Sequence, residues 1–234
     1  MGRQIPTQGA EGPQGVIGLR TLSRQVAGLY GGASHFSRNF VRGKLLTDPA
    51  TPAVLRLAAE SGGFGVVADL GCGRGQVGLA LLTAGLAGSI HGLDLDPDKI
   101  RDANLAAAGL PARFTVADLG DAPVPDCDTA IIFDVLLQMP AEAQRRLLTR
   151  MAAAARSRVV IRAFDPECGW RARLGFVAEH VGRVLRQDGT VLRPLSLGEL
   201  AMPFQAAGFA VSTMPCWGWT PLPNVMLVAQ RHAQ

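Results

Sequence analysis

The feature that most constrains this chain is a short apolar run that breaks directly into glycines. Val66-Val67-Ala68-Asp69-Leu70 reads as a buried strand, and Gly71-Cys72-Gly73-Arg74-Gly75 follows it before a helical segment from about Gln76 to Ala84. Glycines at such a turn let the backbone approach a ligand closely, with the helix N-terminus behind it. The rest of the chain repeats the alternation. Further strands are predicted at Ser89–Leu93, Ala112–Ala117, Asp128–Phe133 and Arg158–Phe164, with helices opening at Asp96-Pro97 and spanning Ala141–Ala155. That pattern implies a parallel, doubly wound α/β sheet. After a helix at Ser196–Ala207, the strands Phe209–Met214 and Asn224–Gln230 have no helix between them, so they must form an antiparallel hairpin. About seven strands are expected in all, mostly parallel.

Ahead of the glycine turn the period is helical. Three helices are predicted, over 16–30, Phe36–Leu46 and Asp48–Ser61, so residues 16–61 read as a helical cap on a main domain at 62–234. Residues 168–195, mixing apolar and Arg positions, read as an inserted helical lid, and residues 1–15 as a flexible tail without the apolar core of a secretory leader. A chain 48% hydrophobic and 18% charged has ample material for a core. It has no apolar run approaching the ~18 residues of a membrane span. Its four cysteines (Cys72, Cys127, Cys168 and Cys216) are far apart with no C-x-x-C pair, which argues against a structural zinc or a disulfide framework and suits a reducing, cytoplasmic setting.

Charge is segregated. Residues 1–60 carry seven Lys+Arg against three Asp+Glu, residues 61–140 four against ten, and residues 141–234 twelve against six. Basic flanks of this kind are either solvated faces or the rim of a site that receives an anionic partner. No basic run is interleaved with aromatics, so a nucleic-acid partner is not expected.

In the acidic middle, three carboxylates fall at successive strand ends: Asp69 before the glycines, Asp94 nineteen residues after Gly75, and Asp118 after the third strand. Gly73-x-Gly75-x-x-Gly78 matches the dinucleotide fingerprint, but an Asp two residues before the first glycine suits a cationic ligand better than a pyrophosphate. A carboxylate at the second strand tip can accept ribose hydroxyls, and one at the third can accept from an adenine amine. Any one of them alone could be an ordinary turn former.

The runs VVADLGCGRGQVG, GLDLDPDKI, VADL and AIIFDVLLQMP, in this order and spacing, resemble the class I, Rossmann-like S-adenosylmethionine-dependent methyltransferases over about residues 66–164. The resemblance implies S-adenosylmethionine as cofactor. Asp69, Gly71, Gly73 and Gly75 would hold its methionine part, with Cys72 a small packing residue in the loop. Asp94 would take the ribose with Leu95 against the adenine, Asp118 and Leu119 would face the adenine, and Phe133 and Asp134 would line the floor below the methyl group. The flanks HFSRNFVRGKLLTDP, RAFDPECGWRARLGF and GWTPLPNVMLVAQR are similar to bacterial methyltransferases of aryl-polyene or lipid pathways.

The N/D-P-P-Y/F run of nucleic-acid amino methyltransferases is missing after the fourth strand, where Asp134-Val135-Leu136-Leu137-Gln138-Met139-Pro140 stands. The expected reaction is in-line O- or C-methylation of a small, largely apolar aromatic or acyl acceptor, free, lipid-like or held on an acyl-carrier protein. A non-catalytic cofactor-binding partner subunit is the alternative. His35 and Asp165 are the candidate catalytic groups, and Tyr30, Arg42, Lys44, Gln138, Arg162, Trp170, Trp217 and Trp219 the candidate acceptor pocket. No histidine spacing suggests a metal. Arg171, Arg173, Arg183 and Arg186 would suit peripheral contact with an anionic carrier or membrane.

Overall fold

The computed structural model describes residues 18–165, 195–217 and 223–231. Among these residues seven strands form one sheet in the order β3-β2-β1-β4-β5-β7-β6. They are β1 (Val66–Leu70), β2 (Ser89–Asp94), β3 (Ala112–Val116), β4 (Cys127–Phe133), β5 (Ala155–Phe164), β6 (Ala210–Pro215) and β7 (Asn224–Gln230). β1 to β5 pair in parallel, while β7 lies antiparallel between β5 and β6. The expected Rossmann-like architecture and its closing hairpin are both present. The predicted lid at 168–195 falls almost wholly outside the described residues.

Seven described helices cover the sheet: α1 (Leu19–Leu29), α2 (His35–Thr47), α3 (Ala50–Glu60), α4 (Gln76–Thr83), α5 (Pro97–Ala106), α6 (Ala141–Ala154) and α7 (Leu197–Ala206). Alternate residues of each central strand feed opposite faces. Val67, Ile90, Phe114, Ile131 and Val160 meet α1 to α5 on one side; Ala68, Leu70, Ile132, Val159 and Ile161 meet α6 and α7 on the other. The N-terminal helices therefore share a core with the sheet, through Leu22, Val26, Tyr30, Val41, Leu45 and Val54.

The two edges are handled differently. On β3, the Asn104 amide of α5 donates to Phe114 O at 2.8 Å and accepts from Phe114 N at 3.1 Å, so a side chain takes the place of a further strand. β6 is almost wholly exposed and ends at Pro215, a residue confined to edges because it lacks a ladder donor. Strand order reverses between β1 and β4, and this reversal opens a crevice at their C-terminal ends.

Candidate active site

A cavity of about 790 Å³ occupies that crevice, within the size range of small-molecule sites. Its wall starts at the glycine turn. Gly71 has φ of 72°, and a Cβ there would lie 2.1 Å from Val135 Cγ2, so only glycine fits between the two loops. Gly71 N and Cys72 N both donate to Leu93 O, at 2.7 and 3.0 Å, which ties the turn to the end of β2. Gly73 N donates to Asp94 Oδ2 at 2.8 Å.

Asp69 is buried and lines the cavity; its Oδ2 is enclosed beside Gly78 and has no geometrically good hydrogen bond among the described residues. Burial pushes its carboxyl up to about 7; the Gly78 N–H opposes the rise and Asp94 adds to it. A buried carboxylate at a cavity wall suits a cationic group, as the methionine ammonium of S-adenosylmethionine is. Asp94 also lines the cavity, with Oδ1 accepting from Asp96 N at 3.0 Å. Both of its oxygens thus already hold one backbone N–H, and a ribose would use the remaining lone pairs.

Leu95 presents an exposed apolar side chain at the cavity, and Leu119 a buried one. Asp118 is exposed, with Oδ1 accepting from Gly120 N at 2.8 Å. The loop carrying these two residues is held from below by Arg150 of α6, whose Nη2 donates to Leu119 O and Gly120 O. Cys72 lines the cavity as a buried thiol, which burial pushes far above its ordinary value, and this suits packing rather than attack. Phe133, Asp134, Lys44 and Gln138 line the same cavity.

Other expected residues stand elsewhere. Gly75, at φ of 76°, is behind the cavity: a Cβ there would lie 2.6 Å from Phe114 Cζ, so the glycine makes room for that ring rather than for a ligand. Tyr30 is fully buried in the core, its hydroxyl donating to Arg74 O. His35 and Arg42 are exposed and away from the cavity, because α2 turns Ser37, Val41 and Leu45 inward. His35 is therefore not placed to act as a base. Asp165 follows β5 outside the lining, with its N–H donating to Pro223 O at 2.9 Å. Trp217 is half-buried and also outside it. Trp170, Trp219, Arg171, Arg173, Arg183 and Arg186 lie outside the described residues.

Arg162 also fails to reach the cavity wall, yet it organises it from beneath. Its Nη1 donates to Asp48 Oδ1 and Oδ2 at 2.9 Å each and to Asp134 Oδ2 at 2.9 Å. Lys44 Nζ bridges the same two carboxylates, at 2.8 Å from Asp48 and 3.3 Å from Asp134. Burial opposes ionisation of Asp48, but Arg162 and Lys44 outweigh it and hold its carboxyl below the usual value. Burial likewise acts against the charge on Lys44, and Asp134 and Asp48 reverse it, so the ammonium persists. Asp48 is the main residue missed in the sequence. Its Lys44 spacing of four on a helix was visible, whereas its contact with β5, 114 positions away, was not.

Phe40 was missed as well. It lines the cavity beside Arg74, whose guanidinium lies 5.3 Å from the Phe40 ring centroid and joins α2 to α5 through Ser37 and Asp102.

Residues 67–158 match the sequence model of a methyltransferase domain. No curated protein sequence is a significant match. Among solved structures, the fold is similar to magnesium protoporphyrin IX methyltransferase from Synechocystis PCC 6803 with bound S-adenosylhomocysteine. That match has 22% identity and TM-score 0.62, and covers 87% of this chain and 91% of that one. It is also similar to an O-methyltransferase family protein from Burkholderia thailandensis, at 18% identity and TM-score 0.62, covering 85% of this chain and 59% of that one. Residues 67–158 are thus similar to a methyltransferase domain, and the chain has the fold of S-adenosylmethionine-dependent methyltransferases.

Proposed function

We propose that the protein transfers the methyl group of S-adenosylmethionine to a small, largely apolar acceptor. The observation that carries the reading is the buried Asp69 carboxylate, which lines one cavity with the glycine turn, Asp94 and the exposed Leu95. When bound, the cofactor supplies a methyl group already activated on a sulfonium. The chain's own task is then to hold, align and exclude water. The glycine turn and Asp69 would hold the methionine end, Asp94 the ribose, and Leu95, Asp118 and Leu119 the adenine. Phe40, Val135 and Met139 add an apolar lining to the same cavity that would suit an aromatic or acyl acceptor. The narrower kinship with aryl-polyene or lipid-pathway enzymes belongs to this proposal as well.

Calorimetry with S-adenosylhomocysteine is expected to show saturable binding, weakened at least about tenfold by Asp94→Ala, which removes a charged acceptor of hydrogen bonds. Tight NAD binding with no response to the homocysteine analogue would overturn the reading. Labelled methyl transfer by the isolated protein into a small-molecule or lipid extract separates an enzyme from a non-catalytic partner subunit.

A further inference from the structure

Asp134 is the one non-glycine described residue with a positive φ, at 63°. A side-chain-bearing residue held in that region is costly, and such strain persists where the surroundings impose it, often at a working site. Here the surroundings are a four-charge cluster. Its lower half is the more buried: the side chains of Asp48 and Arg162 are only 9% and 8% exposed and bind each other through both carboxylate oxygens, although Asp48 also reaches the cavity wall. Its upper half is open. The Asp134 side chain is 46% exposed and that of Lys44 36%, and both line the cavity.

Arg162 and Lys44 both use Asp134 Oδ2. Among the described residues Oδ1 has no partner, while Lys44 Nζ spends two of its three N–H donors on Asp48 and Asp134. The cavity therefore offers one carboxylate oxygen able to accept and one ammonium hydrogen able to donate, next to Phe40, Val135 and Met139. The two acids and two bases of the cluster offset each other, so a neutral group fits and a further full charge does not. A carboxylate ligand would meet Asp134, and an ammonium would meet Lys44.

We infer that Asp134 and Lys44 form the subsite for a neutral hydroxyl on an apolar acceptor, which makes the reaction an O-methylation. The inference rests on the methyltransferase reading above. The hydroxyl donates to Asp134 Oδ1 and accepts from Lys44 Nζ. In the reaction its oxygen lone pair forms the new O–C bond as the C–S bond breaks. The bonding pair stays on sulfur, and the hydroxyl proton passes to Asp134 Oδ1. A carboxylate is basic enough because the O–H becomes strongly acidic as the new bond forms.

The test uses the full chain saturated with S-adenosylhomocysteine and three naphthalene probes: 2-naphthol, 2-methoxynaphthalene (which cannot donate) and 2-naphthoate. The parent protein is expected to bind 2-naphthol about tenfold or more tightly than either of the others. Asp134→Asn keeps a residue type that tolerates positive φ. Its carbonyl can stay toward Arg162 and Lys44, which puts an NH₂ where Oδ1 stood. This variant is expected to bind S-adenosylhomocysteine as the parent does and to lose the preference for 2-naphthol over 2-methoxynaphthalene. Equal binding of the two by the parent overturns the inference. So does a preference for 2-naphthoate, retention of the 2-naphthol preference in Asp134→Asn, or no binding of any probe by the loaded protein. Failure to bind S-adenosylhomocysteine at all would instead overturn the methyltransferase reading beneath it.

Discussion

Asp69 is the residue whose environment has the clearest consequence in solution. Its folded pKa of about 7 exceeds the roughly 3.9 of an unfolded Asp, so the folded state binds the proton more tightly. Between these values the unfolded chain releases its proton first. The Asp69 contribution to stability therefore falls as pH rises from about 4 to about 7 and stays at its lowest above that. In cofactor-free protein, chemical denaturation should show Asp69→Asn gaining stability relative to the parent between about pH 5 and pH 8. A cationic ligand group beside Asp69 favours the ionised form. Affinity for S-adenosylhomocysteine should consequently rise as pH passes through about 7, and the rise should be missing in Asp69→Asn. Calorimetry across that range checks it, and parallel profiles for the two proteins would refute the pairing. Asp69 could be singled out in the sequence by its place before the glycines. The burial that raises its carboxyl depends on tertiary packing, and no local pattern reports that.

At the scale of elements, three of the seven described helices, α2, α5 and α7, start at a side-chain cap. Asp96 caps α5, accepting from Asp98 N and Lys99 N, with Pro97 at the first turn. α7 opens with a capping box, where Ser196 Oγ accepts from Glu199 N at 3.2 Å and Glu199 Oε2 accepts from Ser196 N at 2.9 Å. The backbone and side-chain hydroxyl of Ser196 and the Arg145 guanidinium hold the Glu199 carboxyl below its usual value. Ser196→Ala should lower stability by about 1 kcal/mol in urea denaturation. It should leave S-adenosylhomocysteine affinity unchanged, because no residue of α7 lines the cavity. A change in affinity would show that α7 is coupled to the site. Elements of this kind are legible in sequence because cap, period and breaker all lie within a few residues. The rotation of α2 is not. Its pattern marks a helix, but a turn of one residue decides whether His35 and Arg42 or Lys44 and Asp48 face the cavity, and packing against α1 and α4 makes that choice.

For the whole molecule, the shared core between the N-terminal helices and the sheet makes residues 18–61 part of the fold. Deleting them uncovers the face built by Val67, Ile90, Phe114 and Ile131 and removes Tyr30 and Leu45 from the same cluster. The truncated chain should lose cooperative thermal unfolding and bind a hydrophobic dye. A sharp transition without dye binding would show instead that the sheet folds without its N-terminal cover. The strand–helix alternation, the glycine turn and the three carboxylates at successive strand ends can all be read from the chain before it folds. Each of these is written in local period, turn chemistry and short spacing. Only the tertiary structure decided that Gly75 yields space to Phe114 rather than to a ligand, and that Tyr30 packs in the core. It also decided that Asp48 from the end of α2, Asp134 from the end of β4 and Arg162 from β5 meet in one cluster. Those outcomes depend on strand order and helix rotation, which are fixed by side chains far apart in the chain competing for the same buried volume.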